Sequence, residues 1–200
     1  ASSTTLCSRW KNGSALLVHN AYDPQSMPKN IYNSKITTVP VLGYVGTIDH
    51  WFDWNAVFQI ARMFPQYKVR LIGPLLTPPA ESLLENMELL PPCTQPEALT
   101  AMQDFSVGLI PFKLNRLTRS VDPIKYYEYR AMGLPVLSTA FGEMILHDSD
   151  QGVFLFNRDN VVEMVNAAIS KGIDLQGAEE FRQCNSWEAR FEALNSFFEA

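Results

Sequence analysis

One segment concentrates side chains able to do chemistry. In PFKLNRLTRSVDPIKYYEYRAMGLPVLST (111–139) an apolar run closes on Pro111-Phe112, a loop with Lys113, Arg116 and Arg119 follows, and a helical pattern then carries Lys125 in its first turn. A helix start presents unpaired N–H groups and about half a positive charge. With an ammonium beside it, such a place suits a diphosphate. Glu128 lies three residues on, near the same helix face, and a carboxylate there can accept two hydrogen bonds from a ribose diol. The same spacing also describes an exposed helix pair worth about 0.3 kcal/mol, and the arginines also suit a solvated loop. Asp122 reads as the N-cap, with Pro123 at the first helical position and Gly133 as the stop. A capping carboxylate at that point repels an anion and counts against a phosphate there.

These residues need a scaffold, and the sequence supplies an alternation. Near-continuous apolar runs bounded by Gly or Pro occur at 39–46, 68–74, 87–92, 106–112, 135–139 and 153–156. Such runs read as strands covered on both faces. Between them lie helical patterns: Asp53 precedes WNAVFQIARMF, TQPE (94–97) reads as a capping box, and NVVEMVNAAISKG (160–172) is amphipathic. Ser186 precedes WEARFEALNSFF, whose Trp187, Phe191, Leu194 and Phe197 read as core residues. The fold class expected is therefore α/β: a Rossmann-like parallel sheet of about six strands flanked by helices. Ligands of such sheets sit beyond the carboxyl ends of the strands, at the loops that begin at Gly46, Gly73, Pro91, Phe112 and Thr139. Upstream, ALLVHN (15–20) reads as a short strand and the Pro-bearing stretch after it as a connector. Residues 1–37 are expected to be the end of a preceding domain and its linker, and 38–200 the Rossmann-like domain.

Composition narrows the function. The 200 residues carry a formal net charge of -5, a poor match to nucleic acid or to an anionic membrane surface. Cys7, Cys93 and Cys184 are odd in number and far apart, which argues against a disulfide framework or zinc site and for the cytoplasm. His19, His50 and His147 are too dispersed to suggest a metal. No apolar run reaches the roughly 20 residues of a membrane span. The first residue is not Met, so the sequence reads as a piece of a longer chain or a processed one. A G-x-G-x-x-G after a strand, a P-loop and a G-x-S-x-G elbow are all absent.

The run from Asp122 to Val136 resembles the donor-site signature of GT-B glycosyltransferases of the glycogen-synthase-like, mostly retaining superfamily, roughly P-x-K-x-x-E-x-x-A-x-G-x-P-V. The resemblance implies one half of a GT-B fold, the half that binds a nucleotide diphosphate sugar. It implies that Glu128 holds the ribose, that Lys125 lies near the donor phosphates and stabilises the leaving group, and that Gly46 and Thr47 of GYVGTIDHWFDW (43–54) let backbone approach those phosphates. Cys93 and Thr94 would lie near the base. Arg119, Ser120 and Asp122 complete the candidate donor contacts. Many relatives place a second Glu eight residues before the ribose Glu, where this sequence has Ser120. The Arg and Lys that often follow the first strand are replaced by His50 and Trp51, which also suit surface and packing roles. HNAYDP (19–24) resembles the stretch that closes the N-terminal domain.

The resemblance implies transfer of a sugar to an acceptor hydroxyl, in polysaccharide or glycoconjugate synthesis, with no cofactor and no metal required. Its implied partners are a nucleotide sugar and a missing N-terminal acceptor-binding domain, without which this segment is expected to be inactive. Two alternatives stand beside it: a sugar-nucleotide epimerase of the same architecture, and a non-catalytic nucleotide-binding module.

Overall fold

The computed structural model describes residues 1–10, 15–28, 39–148 and 150–198. Its elements run α1 (Thr4–Cys7), β1 (Val41–Val45), α2 (Trp54–Met63), β2 (Lys68–Ile72), β3 (Met87–Leu90), α3 (Gln95–Met102), β4 (Val107–Ile110), α4 (Ile124–Ala131), β5 (Val136–Thr139), β6 (Val153–Phe156), α5 (Val161–Lys171), α6 (Leu175–Asn185) and α7 (Trp187–Phe198), with short 3-10 turns at Thr118–Ser120 and Gly142–His147.

The six strands form one sheet in the order β3-β2-β1-β4-β5-β6, and every pair is parallel. The central strands β1, β4 and β5 are buried throughout, and the edge strand β3 only at Met87. That gradient is what layers of helix on both faces produce. One face packs against α2 and α5 through Val57, Phe58, Ile60, Val161 and Val165. The other packs against α3 and α4 through Leu99, Met102, Tyr127 and Tyr129. Asp53 caps α2, accepting from the N–H of Ala56 at 3.1 Å. The helix stops at Phe64, which precedes Pro65 and so is steered out of the helical region. No described helix is long and apolar enough to cross a membrane.

The strand order reverses between β1 and β4, which pair only at Leu42↔Val107 and Gly43↔Gly108. Tyr129 fills the gap above that pairing. Its ring lies where a Cβ on Gly108 would come within 2.4 Å. Its hydroxyl accepts from the N–H of Val45 at 3.2 Å and donates to the carbonyl of Gly43. Burial holds that hydroxyl well above its ordinary pKa, so it stays a donor. In Tyr129→Phe the Val45 N–H loses its partner inside the core. We expect a loss of about 1–3 kcal/mol in urea unfolding; an unchanged midpoint would show that this bond carries no weight.

Three expectations need correction. Residues 15–20 form no strand: none of the six strands pairs with this stretch, and the N–H of Val18 donates instead to the carbonyl of Ala1. A further helix, α6, follows α5. Asp174 caps it at Gly177 (2.8 Å), and it packs on α4 through Phe181 and Tyr126. In α7, Ser186 does cap the first turn at Ala189 (3.1 Å), but Phe191 is exposed and stacks on Trp187. The side chain of Phe197 and much of the connector (29–38) lie outside what is described.

Candidate donor site

A cleft of about 320 Å³ opens beyond the carboxyl ends of β1, β2 and β3. Val45, Gly46 and Thr47 form one wall, Ile72 to Pro74 the next, and the first turns of α3 and α4 close it. The strand tips are locked to each other: the N–H of Gly46 donates to the carbonyl of Ile72 at 2.9 Å, and that of Gly73 to Leu90. A Cβ on Gly73 would lie 2.2 Å from the carbonyl oxygen of Gly46. Beneath Gly46, the Tyr44 hydroxyl donates to the carbonyl of Thr47 at 2.9 Å. Burial raises its pKa, so it holds its proton and fixes the turn.

α4 brings the charges. Glu128 is 4% exposed, and its Oε2 sits 2.6 Å from Nζ of Lys125, with both residues on the cleft wall. This is a largely buried pair, not the solvated one that spacing alone allowed. Among the described residues no side chain caps the start of α4, whose N-cap is Pro123. Unpaired N–H groups and the positive end of the helix therefore face the same cleft as the ammonium.

Asp122 does not cap α4, contrary to the sequence reading. It accepts from the N–H of Asn20 at 2.6 Å and from the Tyr127 hydroxyl at 3.1 Å, and its carbonyl takes Nδ2 of Asn20 at 2.5 Å. His19 Nδ1 lies 3.4 Å away. Burial raises the Asp122 pKa, opposed by the bond from Asn20 and the charge of His19. The carboxylate thus turns away from the cleft and fastens the segment at 19–20. The repulsion expected against an anion is removed.

Of the other candidates, Gly46 and Thr47 join Lys125 and Glu128 on the wall. Thr94 is the N-cap of α3, but its N–H and hydroxyl both go to Glu97 Oε2 at 2.8 Å, which leaves the wall to Cys93 and Gln95. Arg119 and Ser120 stand outside the wall. The Ser120 hydroxyl turns back to Leu117, and Arg119 is exposed with its carbonyl taken by Thr5. His50 is exposed beside Asp49, and Lys113 Nζ donates to its carbonyl at 3.1 Å. The sequence reading did not name Gly73, Gln95, Ala98 or Ile124 as site residues. Gly73 carried a signal, a glycine directly after an apolar run; the other three carried none. Among the described residues, no group of three His, Cys, Asp or Glu side chains could hold a metal ion.

No protein-family model matches the chain. Among curated proteins it is similar to TuaH of Bacillus subtilis (strain 168), whose name ties it to glycosyl transfer in teichuronic acid biosynthesis. The identity is 24% over 163 residues, 79% of this chain and 41% of that one. Sucrose-phosphate synthase from Thermosynechococcus elongatus superposes with a TM-score of 0.70 at 15% identity, over 98% of this chain and 55% of that one. The lipopolysaccharide outer core galactosyltransferase WaaB gives 0.70 at 13% identity, over 100% and 61%. An alpha-glucosyltransferase in complex with UDP-glucose and DNA gives 0.62 at 16%, over 98% and 62%. The chain thus has the fold of one Rossmann-like half of GT-B glycosyltransferases, and it spans about two-fifths to three-fifths of the length of these relatives.

Proposed function

We propose that this chain, which carries one half of a GT-B glycosyltransferase fold, is the half that binds the nucleotide diphosphate sugar, and that the whole protein transfers the sugar to an acceptor hydroxyl. One observation carries this reading: a buried carboxylate and an ammonium share a cleft wall with an uncapped helix start and two glycine-bearing strand tips. Lys125 and the first N–H groups of α4 meet the diphosphate and stabilise it as it departs. Glu128 accepts from the ribose diol. The tips at Gly46 and Gly73 let backbone approach the ligand. Residues 1–37 are read as the end of a preceding domain and its linker, and 38–200 as the donor domain. The groups that hold the acceptor's reacting hydroxyl, and any general base, then come from outside this chain, a reading supported by its covering 41% of TuaH. We place the protein in the cytoplasm, supported by the three free cysteines, and in polysaccharide or glycoconjugate synthesis.

Calorimetry with UDP, GDP and their sugars tests the reading, with UDP first because a structural neighbour holds UDP-glucose. One diphosphate should bind best. Lys125→Ala and Glu128→Ala should each weaken it at least about tenfold, or roughly 1.4 kcal/mol. Equal, unselective binding that survives both substitutions would sink the assignment. The isolated chain should bind without transferring; sugar transfer by the pure chain would contradict the division of labour.

A further inference from the structure

A second and larger hollow, about 840 Å³, opens at the same end of the sheet and is not used by the donor site. It borders Thr139 and Phe156, the last residues of β5 and β6, and the outer face of α2. Strands in a sheet lie about 4.8 Å apart, so the tips of β5 and β6 stand roughly 10–15 Å along the sheet from that of β1. The donor cleft is closed by α3 and α4 and this hollow by α2, so the two open at the carboxyl end of one sheet but toward its opposite faces.

Its lining is specific in kind. Asn55, Gln59 and Met63 recur every four residues along α2 and so form one stripe. Opposite them stand Asn157 and Arg158, over a floor made by Phe156. The Asn55 side chain is exposed and, among the described residues, neither it nor the Arg158 guanidinium makes a hydrogen bond, although the Arg158 carbonyl accepts from Gln59 Nε2 at 2.9 Å. The Asn157 Oδ1 is taken by the N–H groups of Asp159 and Asn160, which leaves its amide donors free. Leu114 adds a 70% exposed apolar rim.

Three ligand classes fail here. A nucleotide diphosphate wants an open helix start, but the start of α2 is closed by the Asp53 carboxylate, which also repels phosphate. A metal ion lacks a ligand set among the described residues. An apolar ligand would leave the amides and the guanidinium unpaired. A sugar ring fits: each hydroxyl both donates and accepts, each amide side chain does the same, and the C–H faces of the ring suit Met63 and Leu114.

We propose that this hollow binds a saccharide segment of the acceptor, holding the chain already built while its end reaches the donor cleft. The inference rests on the donor reading above.

Two-dimensional NMR of the 15N-labelled chain separates the two. Maltotriose and trigalacturonate, one neutral and one acidic, are titrated separately to millimolar concentrations, and UDP in a third series. At least one oligosaccharide should shift the amides of Asn55, Gln59, Asn157 and Arg158 saturably, and UDP those of Gly46, Gly73 and Lys125. The double variant Asn55→Ala/Arg158→Ala should weaken the oligosaccharide at least about tenfold and leave UDP unchanged. If neither oligosaccharide moves the first set while UDP moves the second, the saccharide site is wrong and the donor reading stands. If an oligosaccharide moves the first set and UDP moves nothing, the donor reading fails instead. Oligosaccharide binding that survives the double variant overturns the site.

Discussion

Gly73→Ala is expected to abolish nucleotide binding and to cost about 3 kcal/mol or more of stability. Gly73 has a φ of 141°, a region that residues with a side chain rarely adopt. Its added Cβ would lie 2.2 Å from the Gly46 carbonyl oxygen, an atom of backbone that no rotamer change can move aside. The tips of β1 and β2 must part, and the bonds from Gly46 to Ile72 and from Gly73 to Leu90 stretch with them. Backbone strain and overpacking each contribute about 1–3 kcal/mol. Urea unfolding and nucleotide calorimetry on one preparation check both halves. A folded variant with undiminished affinity would remove the strand tips from the site.

Asp150→Ala should be the most damaging of the charge deletions and should leave the cleft chemistry untouched. Asp150 accepts from Nε and Nη2 of Arg130 (3.2 and 3.0 Å), from the Tyr126 hydroxyl (3.0 Å) and from the N–H of Gly152 (2.9 Å). Arg130 is 5% exposed, so removal of the carboxylate leaves a buried cation unpaired, at about 3–5 kcal/mol. Burial pushes the Asp150 pKa up, but the charge and hydrogen bonds of Arg130 and the Gly152 N–H outweigh it, and the net shift is downward from 3.8. A lowered carboxylate pKa stabilises the fold above the unfolded value and loses that contribution as pH falls through the folded one. The gap between wild type and variant should therefore be widest near neutrality and close below about pH 4. A gap independent of pH would show that packing, not charge, holds this corner.

The architecture was legible because its signal is local. Six apolar runs, each bordered by Gly or Pro, mark six strands, and Asp53 and TQPE mark two helix starts with chemistry confined to four residues. α6 escaped because LQGAEEFRQCN buries only Ala178 fully and carries Gly177, so it shows little periodic face. Asp122 was misplaced because Asp-Pro before a helical run has the local form of a cap. What moves its carboxylate is Asn20, 102 positions away in sequence. The spacing of Lys125 and Glu128 is equally legible, but the cleft around them is built by residues 45–47, 72–74 and 93–98, and no local pattern shows those loops meeting. The second hollow was invisible for the same reason: the tips of β5 and β6 lie roughly 80 and 100 residues beyond α2 in sequence.

On the proposed function, the contact between Lys125 and Glu128 makes the cleft selective for whole ligands. Each of the two side chains is the other's counterion while nothing is bound. A newcomer that offers only an anion draws the ammonium off and strands a carboxylate away from water; one that offers only hydroxyls leaves the ammonium where it was and gains little. A molecule that carries an anionic group and a vicinal diol at the right separation compensates both halves at once, so the cleft acts as a coincidence detector.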